Sequence, residues 1–128
     1  MKILTLVARI LLGLEFFVFG LNGFFHFIPM GAPPAGVAGI FMTTLTATHY
    51  FYPIAFLQAL CGLLFLVNRY VPLALTLICP ILVNILMFHA LMAPTNIGPG
   101  ILATVCWLIV YWAHRPAFKG IFTQKSPA

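Results

Sequence analysis

Residues 3–25 read ILTLVARILLGLEFFVFGLNGFF, and residues 71–92 read VPLALTLICPILVNILMFHALM. Both runs are continuously apolar rather than alternating. Both are also long enough to carry a helix through ~30 Å of hydrocarbon, which takes ~20 residues. Two shorter apolar stretches, 50–67 and 98–113, complete a set of four. Breakers separate them: Pro29, Pro33 and Pro34, then Asn68, Arg69 and Tyr70 with Pro72, then Pro94, Gly98, Pro99 and Gly100. The expected fold is all-α, an integral membrane four-helix bundle formed by one domain over 1–128. A single chain offering four strands cannot close a barrel in lipid.

Composition agrees. Of 128 residues, 63% are hydrophobic and 5% are charged, against about 25% charged in a soluble domain. Six cations and one acid cannot cover a water-facing surface of this size, so the expected partner of most of the surface is the lipid bilayer. The net charge of +5 does not point to nucleic acid, because the cations are scattered rather than gathered on one face among stacking aromatics. Cys61, Cys79 and Cys106 each lie in an apolar run with no C-x-x-C pair, so they read as small packing residues. Arg9 and Glu15 interrupt the first apolar run, which is therefore read as a retained span and not a cleaved leader.

The cations order the topology. Lys2 and Arg9 mark the start, Arg69 lies in the second connection, and Arg115, Lys119 and Lys125 follow the fourth stretch. The first and third connections hold no Lys or Arg. With four spans, all six cations fall on one side, which the positive-inside rule makes cytoplasmic. Both termini are then inside (N-in, C-in), as expected for a multi-pass membrane protein. Tyr50, Phe51 and Tyr52 mark one interface and Tyr70, Tyr111 and Trp112 the other. The apolar segment 35–45 in the long outer connection is expected to lie in the interface or dip back, capping the bundle. Thr95 or Asn96 is the expected N-cap of the fourth span.

Polar residues inside spans should turn inward. On a helix, Glu15, Asn22 and His26 fall within about 40° of one another. Arg9 lies about 120° away, too far round to pair with Glu15, and is expected to snorkel to the interface. Counting depth sets Gln58 and Asn84 level with Glu15 near the midplane, and His49 and His89 level with His26 near the outer end. Two readings follow: interhelical hydrogen bonds that fix packing, or a site for a small redox molecule such as a quinone, with phenylalanine walls. The spacing of His26, His49 and His89 matches no metal-ligand pattern. Gly13 and Gly20, and Ala59 with Gly62, mark where helices should touch.

The runs Ala8-Arg9-Ile10-Leu11-Leu12-Gly13 and Gly20-Leu21-Asn22 resemble the opening of DoxX-family membrane proteins. So do Gly62-Leu63-Leu64, the segment from Asn68-Arg69-Tyr70 to Leu75, Pro80, Asn84-Ile85 and Phe88-His89. The likeness covers nearly the whole chain, although Gly23 stands where members often carry a lysine. It implies a four-helix membrane fold of bacterial inner membranes related to quinone-linked redox proteins, with Arg9, Asn22, Asn84 and His89 as the matching residues that carry function. The expected function is a component of a quinone-linked membrane redox system. Quinone is the expected cofactor, bound near Asn22, Asn84, His89, His26 and Glu15, and the expected partners are an oxidoreductase subunit and further copies of the chain. The alternatives are a non-catalytic anchor or assembly subunit of an oxidoreductase, or a small-solute transporter or channel. No sequence motif names a catalytic residue.

Overall fold

The computed structural model describes residues 2–29 and 34–127. Among them the chain is all-helical, without strands. Helix α1 spans Lys2–Phe25, α2 Val37–Ala47, α3 Phe51–Val67, α4 Val71–Leu91 and α5 Gly98–His114, and a 3-10 segment, Arg115–Phe122, completes the chain's helices. The four long helices coincide to within a residue with the four apolar stretches. Helices α1, α4 and α5 with its 3-10 extension are long and apolar enough to cross a membrane, and α3 joins them if the bent α2–α3 pair counts as one span.

The packing forms a ring in which α1 touches α3 and α5, and α4 touches α3 and α5, leaving α1 and α4 diagonal. The tightest seam is α1 against α3. A Cβ on Gly20 would strike the backbone of Ala59, and one on Gly62 would strike the backbone of Phe17, so only glycine permits this approach. Without water to expel between lipid-solvated helices, such close van der Waals contact is a main source of association.

The turn from α3 to α4 has a Schellman geometry. Asn68 takes the left-handed conformation (φ 57°), its N–H donates to the Phe65 carbonyl (3.4 Å) and the Arg69 N–H donates to the Leu64 carbonyl (3.0 Å). Arg9 adds a side-chain donor to the same helix end, bonding the Phe65 carbonyl and, at 3.4 Å, the Leu66 carbonyl. It does not simply snorkel: its charge meets the negative end of the α3 dipole. At the other end of the bundle, α5 begins behind Ile97, with no side-chain cap from the expected Thr95 or Asn96.

Large apolar side chains fill the half of the bundle nearer the termini, with Leu12, Phe65, Leu75, Ile78 and Val110 fully buried. Trp107 ties this half together by donating its indole N–H to the Leu75 carbonyl at 3.0 Å. Outward, Leu14, Leu63, Val83, Met87 and Val105 are exposed at mid-helix, an arrangement that suits lipid and not water. Helix α2 meets α3 at 86°. The segment expected to cap the bundle therefore runs across its end, with Phe41 against Phe88 of α4 (ring centroids 5.6 Å apart).

Candidate functional site

The interior changes character towards the end opposite the termini. There the buried residues are small or polar: Gly20, Asn22 and Gly23 of α1, Ala55 and Gln58 of α3, and Gly100 of α5. Asn22 is 6% exposed, and its Oδ1 accepts the Ile28 N–H at 2.7 Å, folding the chain back over the end of α1. His26 follows in the left-handed conformation (φ 52°) with its side chain exposed. Gln58, equally buried, forms no side-chain hydrogen bond among the described residues.

Two aromatic groups rim this end. In the first, Tyr52 of α3 stacks on Phe24 of α1 (5.4 Å, 10°) and on His49 (5.3 Å, 15°). His49 is held at φ 58° just before α3. In the second, Phe88 of α4 packs against Phe41 and meets the His89 ring edge-on at 5.3 Å. The His89 Nδ1 lies 3.1 Å from the Ala93 carbonyl, closing the C-terminus of α4. These rings offer flat apolar faces beside imidazole nitrogens, which is what a planar molecule with carbonyl oxygens needs.

The sequence-level cluster is redistributed. Asn84 does not join Glu15 and Gln58 inside the bundle. It is exposed on α4, and its Nδ2 donates to the Pro80 carbonyl one turn earlier at 2.8 Å. Azimuth on α4 turns it away from the interior, and Pro80, which lacks an N–H, leaves the Thr76 carbonyl without its helical donor one turn earlier. Helices α1 and α4 are diagonal, so Asn22 and the two residues Asn84 and His89 sit on elements that face each other across the ring. Glu15 is half-buried in mid-helix with no ion pair or hydrogen bond among the described residues. No group of three metal-ligating side chains occurs among the described residues.

Sequence reasoning missed the Phe24–Tyr52–His49 stack. The signal was available: His49, Tyr50 and Tyr52 begin α3 at the depth where α1 ends, beside the glycine that lets the helices close. The seating of Arg9 on α3 had no comparable signal, because it depends on the register between two helices. Set beside known proteins, the chain matches no family model, no curated protein and no solved structure.

Proposed function

We propose that the chain is a DoxX-like component of a quinone-linked membrane redox system, embedded in a bacterial inner membrane with both termini cytoplasmic. It would take a quinone headgroup at the end of the bundle away from the termini. The observation that supports this reading is the interior's change from large apolar packing to small and polar residues beneath two aromatic–imidazole rims. The ring of a quinone stacks on Tyr52 or Phe88 and His49 donates to a carbonyl oxygen, while His89, whose Nδ1–H is held by the Ala93 carbonyl, offers Nε2 as an acceptor to the hydroxyl of the reduced form. Asn22 shapes the floor, since its Oδ1 is already committed to Ile28. Glu15 lies deeper, as a proton-handling or structural group. Titrating a short-chain quinone into the purified protein tests this. A saturable rise in melting temperature that weakens in both His49→Ala and His89→Ala is expected. A flat response in the wild type ends the reading.

A second reading, a non-catalytic anchor for an oxidoreductase, is favoured by one observation: Asn84 presents an amide from the outer face of α4, where only a partner helix or lipid can meet it. Co-purification in mild detergent separates the two. A stoichiometric oxidoreductase partner lost in Asn84→Leu supports the anchor.

A further inference from the structure

The end of the bundle that carries the termini holds an unassigned groove. It opens between the start of α1 and the last turns of α5, is lined by Leu4, Leu108, Ile109, Tyr111 and Trp112, and has a volume of about 490 Å³. Its walls are hydrocarbon and aromatic ring, and Leu4, Leu108 and Trp112 are each about half exposed. Tyr111 is fixed from behind, stacked on Trp107 at 5.2 Å and packed against the buried Phe118 at 5.1 Å.

A cation stands beside the groove, on the ring of one of its lining residues. The Arg115 guanidinium lies 4.0 Å over the Trp112 ring and donates through Nη1 to the Trp112 carbonyl at 2.6 Å. Stacking on the indole and bonding to the carbonyl hold the planar group in place, and its other N–H donors meet no side-chain carboxylate among the described residues. Glu15, the chain's only acid, lies far along α1 from this end. Lys119, in the 3-10 segment, and Lys2, two residues before Leu4, are exposed at the same end.

We propose that this groove binds one anionic phospholipid, its acyl chain against Leu4 and Leu108 and its phosphate on Arg115, with Lys119 adding charge. The occupant follows from the pairing of features: an apolar trough beside a fixed guanidinium is complementary to an amphiphile with a negative head. Free phosphate would use the cation but not the groove. A partner helix would use the groove but has no need of the cation. The site rests on the membrane-spanning reading and is independent of the quinone site at the opposite end.

The test uses Trp107→Phe, which leaves Trp112 as the sole tryptophan, in phosphatidylcholine nanodiscs containing brominated lipid. Brominated phosphatidylglycerol is expected to quench Trp112 saturably and several-fold more than brominated phosphatidylcholine at equal mole fraction. The preference should disappear in Arg115→Ala/Lys119→Ala and withstand excess inorganic phosphate. Equal quenching by the two lipids overturns the site, as does a preference that survives the double substitution or yields to inorganic phosphate. Absence of quenching by either lipid also overturns it, and removes the membrane-spanning reading as well. A second measurement avoids the tryptophan change. By native mass spectrometry the wild-type protein should retain one phosphatidylglycerol, and Leu108→Trp, which fills the groove beside an intact Arg115, should release it; retention by the filled groove contradicts the proposal.

Discussion

The guanidinium of Arg9 is seated on the carbonyl of Phe65, joining the first helix to the C-terminus of the third across 56 positions of sequence. A helix end in a low-dielectric setting leaves carbonyls that must find donors, and a charged donor there also meets the helix dipole. Hydrogen bonds to charged groups contribute roughly 1.5–3 kcal/mol. Arg9→Ala is therefore expected to lower unfolding free energy in detergent by about that amount, and Arg9→Lys to recover part of it. An Arg9→Ala protein that unfolds at the wild-type denaturant concentration would show the contact to be idle.

Gly62→Ala should be costly for a different reason. The added methyl meets the Phe17 backbone, which cannot rotate away as a side chain would. Helices α1 and α3 must part along their length, at about 1–3 kcal/mol. Gly120→Ala is the matched control, because a Cβ there meets nothing within 4 Å, and should stay within about 0.5 kcal/mol of wild type. Equal effects of the two substitutions on thermal stability would contradict the close packing of this seam.

Asn22→Ala removes the acceptor of the Ile28 N–H. Amide hydrogen exchange at Ile28 should accelerate, while the α1 interior at Leu12 stays protected. Asn22→Asp keeps an acceptor oxygen and should restore slow exchange. Unchanged exchange at Ile28 in Asn22→Ala would mean that this turn is held by something else.

These outcomes also show what can be read from the chain before folding. Hydrophobic run length and Pro–Gly punctuation placed the four long helices, and the glycines at 20 and 62 marked the seam, because in lipid both signals are local and strong. Depth along a helix could likewise be counted, which put His26, His49 and His89 at one end. Direction around the helix could not. Every face of α4 is apolar enough to be buried, so nothing local said that Asn84 would look outward. The seating of Arg9 needed the α1–α3 register, which belongs to the pair and to neither helix alone.

In the proposed topology four helices cross the bilayer, with both termini and the Asn68–Tyr70 turn on one face and α2 on the other. Its most direct test is labelling of single introduced cysteines at Thr46, Asn68 and Lys125 by an impermeant maleimide on intact cells, then on lysed cells. Thr46→Cys should label in intact cells, and Asn68→Cys and Lys125→Cys only after lysis. Labelling of Thr46→Cys and Lys125→Cys from the same side would contradict the topology.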